Sequence, residues 1–394
     1  MYLVKANDAR TRLFIMTLED IFTLENLNEA FYASSKISHW KDSTQRYNAN
    51  LLLNNIQLRE DVLNGEYRVL PTQDFILHER GKVRQIKAPS QQDRIVQKVL
   101  CSKILIPQLT KPLIYDNYAS LKDRGTSFAR KRIDVLLQRF IRQYGSDGYI
   151  LQIDIRKYFD SIDHEILKKM VHKKIHESQD VMDLIDYVID SSSDGEVGLN
   201  LGAEAPQILA IYYLSEVDNF IKSVKGMKFY GRYMDDMFIF SNSKDELKNL
   251  LSEIKLQLSK IKLEVNDSKT NILRLSHGFT FMQIKYSIDG DKIIKRPTRT
   301  KITRERRRLK KFKHLYIRGD IKEIDIRNCY KSWRFGILKD CNACYKTVKK
   351  MDSIYNSLFP RREVYKKQKR SQIINKLFKE NMDLLLEIGY DNRY

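Results

Sequence analysis

Phe229-Tyr230-Gly231-Arg232-Tyr233-Met234-Asp235-Asp236-Met237-Phe238-Ile239-Phe240 places two adjacent acids at the centre of an apolar run. Aromatic and aliphatic residues flank the pair on both sides, which predicts two short buried strands joined by a tight turn. Adjacent carboxylates at the tip of a buried hairpin repel each other and lose solvation, a cost that a bound cation relieves. The same residues also read as an Asp-Asp turn in an exposed hairpin, and one short motif does not separate the two readings.

A second stretch bears on that choice. Tyr149 to Asp163 reads Tyr-Ile-Leu-Gln-Ile-Asp-Ile-Arg-Lys-Tyr-Phe-Asp-Ser-Ile-Asp. Asp154 interrupts a strand-like run of Ile150, Leu151, Ile153 and Ile155. A carboxylate in a buried strand demands a partner, and no basic residue lies in the run before it. If this strand lies beside the Asp235 hairpin, three carboxylates converge. Such a cluster selects a hard divalent ion such as Mg²⁺, which takes further oxygens from substrate phosphates. Two such ions, roughly 3.5–4 Å apart, clamp the attacking and leaving oxygens of a phosphoryl transfer.

Tyr233-Met-Asp-Asp236 and Asp154-Ile-Arg-Lys-Tyr-Phe159 resemble the catalytic motifs of reverse transcriptases. Phe159-Asp-Ser-Ile-Asp-His164 is similar to the bacterial branch, which holds group II intron, retron, diversity-generating and phage-defence enzymes. The resemblance covers roughly Val69 to Phe359. It implies an α+β, right-hand polymerase fold. A helical N-terminal extension would span 1–70, fingers 71–150, a palm with an antiparallel sheet 151–290, and a basic helical thumb with a final helix 291–394. It implies a primer 3′-hydroxyl attacking the α-phosphate of a deoxynucleotide on an RNA template. Asp154, Asp235 and Asp236 would be catalytic. Asp154, Ile155, Asp235 and Asp236 would hold two Mg²⁺ ions, with Mn²⁺ as an alternative.

Composition fits a polyanionic partner. The chain has 394 residues, 42% of them hydrophobic, with net charge +21. That length supports two or three subdomains, and that excess of Lys and Arg points to nucleic acid, with an anionic membrane surface as another reading. No apolar span approaches 20 residues, so no membrane crossing is expected. Asp8, Arg10 and Arg12 interrupt the start, so no signal peptide is expected and the cytoplasm is the expected compartment. Cys101, Cys329, Cys341 and Cys344 fit a reduced compartment; the lone Cys341-Asn-Ala-Cys344 pair reads as structural rather than zinc-binding.

Thr17 to Asn64 is helical in pattern. Phe75 to Ala88 predicts a hairpin turning at Glu79-Arg80-Gly81. Lys82 and Arg84 share a face of its second strand; they read as lysine-type edge protection or, by resemblance, as the fingertip grip on the triphosphate. A helix from about Ser127 to Tyr144 carries Arg130, Lys131 and Arg132 near its start. The helix dipole disfavours cations there, so Arg130 and Lys131 are candidates for the template or primer backbone.

Phe159 reads as a core aromatic. By resemblance it is the ring beneath the incoming sugar, with no room for a 2′-hydroxyl, which favours deoxynucleotides. Ser161 is the expected N-cap of a helix to Lys174. Gly198-Leu-Asn-Leu-Gly202-Ala-Glu-Ala-Pro206-Gln207 leads to an expected helix from Ile208 to Phe220. Its glycines allow close backbone approach to a nucleotide, or it is a plain loop before a core helix. Gln207 matches the family's residue there. Asn200 and Glu204 depart from the family pattern; Glu204 would place a negative charge near phosphates and hints at a specialised enzyme. Lys269 stands where the family has a lysine that can protonate pyrophosphate, or is a surface lysine. Phe279 to Ile284 resembles the hairpin that grips the primer end, or is a plain core strand.

Thr303 to Lys313 places Arg304, Arg307, Arg308 and Lys311 on one helical face and Leu309, Phe312 and Leu315 on another. One face packs; the other is expected along the template–primer duplex, through contacts that are sequence-independent and salt-sensitive. A final helix from Ile373 to Ile388 is expected to pack on the thumb or on another subunit, which allows a homo-oligomer. About 35 residues follow Phe359, too few for a nuclease domain of typical size, so RNase H or homing endonuclease activity is not expected. The expected partners are a structured non-coding RNA template, a DNA primer with its cDNA product, and dNTPs. Antiphage defence is the first expected role and target diversification the second. Competing readings are an RNA-directed RNA polymerase, untemplated or protein-primed DNA synthesis, and a non-catalytic RNA-binding scaffold.

Overall fold

In the computed structural model, residues 15–79, 82–200, 202–360 and 376 are described, without the side chains at 78, 79, 82, 84 and 85. The expectations at the N-terminal dozen residues, at the Arg80-Gly81 turn, for the Lys82 and Arg84 side chains, and for the basic segment and final helix after 360 lie outside the described residues. The chain divides into two compact units: residues up to 282 with 287–293, and 283–286 with 294 onward. The architecture is α+β.

In the first unit the central sheet has four antiparallel strands in the order β4-β5-β3-β6. They are β3 Tyr149–Ile153, β4 Tyr230–Tyr233, β5 Asp236–Ser241 and β6 Asn271–Arg274. β3 lies in the interior of the sheet, with Ile153 opposite Met237 of β5 and Gln152 opposite Asn271 of β6. This explains the near-continuous apolar run Tyr149–Ile153: both faces of the strand are covered. Helix Thr126–Tyr144 buries Leu136, Leu137, Phe140 and Ile141, and the Phe140 ring meets Phe229 and Phe240 at 5.4 and 6.0 Å. Helix Lys244–Lys260 buries Leu247, Leu250, Ile254 and Leu258, the stripe its spacing predicts.

Gly231 in β4 is required by close approach. A Cβ there would stand 2.2 Å from the Tyr118 hydroxyl and 2.8 Å from the Phe238 ring. Tyr118 reaches this point because residues 116–118 run along β4: Tyr118 N–H donates to the Arg232 carbonyl and Arg232 N–H to the Asp116 carbonyl, both at 2.9 Å.

The expected fingers hairpin is present as β1 Gln73–Glu79 and β2 Lys82–Ala88, antiparallel, with Leu77 opposite Arg84. Helix Gln91–Leu100 follows it, and its buried Asp93 accepts from the Tyr67 hydroxyl at 2.8 Å and the Leu70 amide at 3.3 Å. N-terminal to the hairpin, the expected helical extension is broken into pieces, among them Leu24–Ser35, Asp42–Ala49 and Leu51–Leu63.

Two boundaries differ from expectation. Ser161 is not an N-cap: Lys157 takes a left-handed conformation, Tyr158–Ser161 forms a 3-10 turn, and the helix His164–His172 starts one turn later. Its cap is Asp163, whose carboxylate accepts the Ile166 amide at 2.9 Å. The helix expected from Ile208 already begins at Glu204 and runs to Tyr213, with Ser215–Asn219 continuing after a break. An acid in the first turn suits the helix dipole.

A third sheet has the order β7-β8-β9, with β7 Phe279–Phe281, β8 Ile284–Asp289 and β9 Lys292–Pro297. Met282 and Gln283, between β7 and β8, both have positive φ.

The second unit is built on helices Arg299–Arg318, Glu323–Asp340 and Tyr345–Leu358. The basic helix is longer than its sequence pattern predicts because Thr298 caps it, accepting the Lys301 amide, and Gly319 ends it at φ 83. Leu309, Ile326, Tyr330, Met351 and Phe359 form its core, with Tyr330 stacked on Tyr355 at 4.4 Å. Glu305, expected on neither face, is buried there; burial raises its carboxyl pKa, opposed by Arg308. Cys341 and Cys344 are buried free thiols, and burial pushes Cys341 up to about 11.

Candidate active site

The acidic pair sits where β4 turns into β5. Tyr233 pairs with Asp236 and the two-residue turn is Met234-Asp235. Two-residue turns that match strand twist need positive φ, and Met234 has φ 54. A non-glycine residue held there costs roughly 1–3 kcal/mol and persists only where the surroundings enforce it.

The pairing of Ile153 with Met237 brings Asp154, one residue beyond β3, level with Asp236, one residue before Met237. Both line one cleft of about 230 Å³ with Gln152, Met237, Lys269, Thr280, Phe281 and Met282. Asp235 stands on the adjoining turn and is half-buried, whereas Asp236 is exposed. The hairpin tip therefore opens onto a cleft rather than being fully buried.

The partner that Asp154 requires comes from far along the chain. Lys269 Nζ donates to Asp154 Oδ2 at 2.8 Å and Asn266 Nδ2 to the same oxygen at 3.0 Å. The Asp154 carbonyl accepts the Asn266 amide at 2.7 Å. Ile155 continues as a bridge to Val265. Lys269 has a pKa above its ordinary value. The hydrogen bond that Lys269 donates to Asp154 is the main cause; partial burial opposes it, and the charges of Asp154, Asp235 and Asp236 add to it. All three acids thus act on one ammonium.

Among the described residues no three His, Cys, Asp or Glu side chains form a ready-made metal cluster. The donor set still suits a hard cation: carboxylate oxygens at an open cleft. Mg²⁺ takes one or two protein carboxylates and completes its shell with water and substrate phosphates, so a closed cage is not required.

The other expected contacts divide. Phe159 is half-buried against the core, its ring 5.6 Å from Tyr158, and its carbonyl accepts the Leu199 amide. Gln207 Oε1 accepts from the Ser120 hydroxyl at 3.0 Å, a partner the sequence did not signal. Gly202, at φ +125, approaches strand β2, where a Cβ would lie 3.3 Å from the Lys87 carbonyl. Glu204 is paired with Lys98 at 2.9 Å. Arg130 gives Nη2 to the Met282 carbonyl at 2.9 Å, while Lys131 is exposed. On the basic helix Arg304, Arg307 and Lys311 are exposed, but Arg308 turns inward to Glu305 at 2.8 Å. Glu305 lies one turn before it, and a buried carboxylate captures the nearest cation.

Arg232 and Asp218 carry no functional motif of their own in the sequence. Both are fully buried and paired. The available signal was an arginine inside the apolar run Phe229–Phe240, which demands a buried acid.

An antiparallel sheet that carries an acidic turn beside a third acid, backed by helices, is the palm of a template-copying polymerase. The chain belongs to the reverse transcriptase (RNA-dependent DNA polymerase) family, whose profile matches residues 71–301. Among curated proteins, Protein YkfC of Escherichia coli strain K12 is 26% identical over 123 residues, 31% of this chain and 32% of that protein. This chain therefore spans about a third of that relative. Among solved structures, apo telomerase from Candida tropicalis, truncated of its C-terminal domain, is 14% identical with a TM-score of 0.45, covering 62% of this chain and 60% of that one. Telomerase from Candida albicans, in complex with a TWJ fragment of telomeric RNA, is 14% identical with a TM-score of 0.44, covering 75% and 62%.

Proposed function

We propose that this protein makes cDNA from a dedicated, structured RNA by two-metal nucleotidyl transfer, in the cytoplasm and in the service of antiphage defence. The observation that carries the chemistry is the cleft shared by Asp154, Asp236 and Lys269, with Asp235 on the adjoining turn. Asp154, Ile155, Asp235 and Asp236 would hold two Mg²⁺ ions, with Asp154 and Asp235 the main ligands and Asp236 assisting or orienting. When bound, the ions supply charge stabilisation to the transferring phosphoryl group. This chain's residues do the rest. Lys269 releases Asp154 and turns its ammonium to the departing pyrophosphate, where it donates a proton. Phe159 limits space at the sugar, Gln207 is oriented by Ser120 toward the nucleotide, and Lys82 and Arg84 hold the triphosphate. Lys131, Arg304, Arg307 and Lys311 hold nucleic-acid backbone, with Arg130 and Arg308 supporting them. The extension, fingers, palm and thumb keep the bounds 1–70, 71–150, 151–290 and 291–394.

Purified protein with Mg²⁺, dNTPs and its co-purifying RNA should make DNA, and Asp235→Ala with Asp236→Ala should not. DNA synthesis that survives that double substitution sinks the reading. Sequencing the bound RNA separates roles: a dedicated structured transcript supports defence, and a repeat of a target gene supports diversification.

A further inference from the structure

We propose that Arg232 and Asp218 form a buried clamp that fixes the main chain of the Met234-Asp235 turn and so positions Asp235 in the turn and Asp236 just after it. The proposal rests on the reading of Asp154, Asp235 and Asp236 as the nucleotidyl-transfer site. The Arg232 guanidinium is shared among several acceptors. Nε donates to Asp218 Oδ1 at 2.8 Å and Nη2 to Asp218 Oδ2 at 2.5 Å. Nη2 also donates to the Ile211 carbonyl and Nη1 to the Met234 carbonyl, both at 2.9 Å. Asp218 takes the Tyr230 hydroxyl as well, at 2.5 Å. Both ends of the pair are out of solvent. Burial disfavours the guanidinium charge, but Asp218 outweighs it and the arginine stays protonated.

Two facts make this positioning rather than bulk stability. First, a buried ion pair is often replaceable by apolar residues of similar volume without loss of stability, so stability alone does not demand these residues. Second, the Nη1 bond reaches the carbonyl of the one turn residue at positive φ, immediately before Asp235. A planar fork serves two directions at once: one edge grips the carboxylate, while Nη1 restrains the turn. A lysine ammonium carries the same charge but lacks the rigid spread of donors.

The test is Arg232→Met with Asp218→Leu, alongside Arg232→Lys, assayed on the full chain. Melting temperature, kcat, KM for dNTP and Mn²⁺ affinity by electron paramagnetic resonance are read. The double variant should fold with a melting temperature near wild type. Its kcat should fall about 10²-fold, as for a displacement near 1 Å in the reacting geometry. KM for dNTP should stay within about threefold, and Mn²⁺ should bind about tenfold more weakly, as when a group supporting a ligand is lost. A folded double variant with wild-type kcat and Mn²⁺ affinity overturns the clamp. So does a parallel fall of kcat and melting temperature with Mn²⁺ affinity unchanged. If the double variant does not fold, Arg232→Lys decides: the charge pair persists and kcat should still fall, whereas wild-type kcat refutes the proposal. A wild-type protein inert with Mg²⁺ and dNTPs would fail the polymerase reading instead, and Mn²⁺ binding would still judge the clamp.

Discussion

At the scale of single residues, one ammonium and three acids set the electrostatics of the cleft. Lys269 sits on Asp154 and feels Asp235 and Asp236, so the protein carries an internal counter-ion where Mg²⁺ is proposed to act. Asp154→Asn should leave the fold intact, because Asn266 still meets the main chain at that point. Its DNA synthesis should fall at least ~10²-fold, since losing several kcal/mol of charge stabilisation costs that much in rate. Primer extension on a folded variant checks it; extension at the wild-type rate would remove Asp154 from the chemistry. Phe159→Ala should relax the sugar choice and raise ribonucleotide use at least about tenfold relative to deoxynucleotide use, a small steric difference by the standard of pocket selectivity. Unchanged sugar discrimination would leave Phe159 a packing residue only.

At the scale of elements, two features carry measurable consequences. Strand β4 depends on the absence of a side chain at Gly231. Gly231→Ala forces Tyr118 or Phe238 aside and should cost about 1–3 kcal/mol or more, as overpacking does, read by denaturant unfolding; an unchanged midpoint would refute the contact. Helix His164–His172 depends on Asp163, which pairs with Lys262 at 2.6 Å. Burial alone would raise the Asp163 pKa, but the Lys262 and Ile166 hydrogen bonds hold it below its ordinary 3.8. A depressed carboxyl contributes stability that is present above the unfolded value and is lost as pH falls through the folded value. Asp163→Asn keeps an acceptor for the Ile166 amide but loses the charge facing Lys262 and the helix dipole, so it should be less stable than wild type at neutral pH by ~0.3–1 kcal/mol, and the gap should close in acid. A gap independent of pH would show that the Asp163 carboxyl is not held below its ordinary value. The glycine and the acid were visible in the chain, but the Tyr118 ring and the Lys262 ammonium that give them meaning lie 113 and 99 residues away in sequence.

At the scale of the whole molecule, the net charge of +21 and the exposed cations of helix Arg299–Arg318 favour a polyanion. Affinity for nucleic acid should fall linearly on a log–log plot against salt. Replacing Lys311 by Ala should reduce that slope by about 1 and weaken binding evenly across sequences. Fluorescence anisotropy over a salt series measures both, and a slope unchanged by Lys311→Ala would place the duplex elsewhere. Arg308→Ala should act differently: it strands the buried Glu305 carboxylate and should lower the stability of its unit, read by thermal unfolding.

The amino-acid sequence by itself determined the class. An acidic pair inside an apolar run and a lone acid ending an apolar strand are local patterns that burial cost marks as unusual, and their resemblance to reverse transcriptase motifs supplied the class. The α+β alternation, the basic face around Leu309 and the fingers hairpin were legible for the same reason: side-chain period follows from local geometry. Only the tertiary structure decided which charges meet. Lys269 found Asp154, Lys98 found Glu204, Asp218 found Arg232 and Glu305 drew in Arg308. Three of these pairs join residues distant in the chain, and choosing among many candidate cations is set by sheet register and helix packing, which no local pattern encodes.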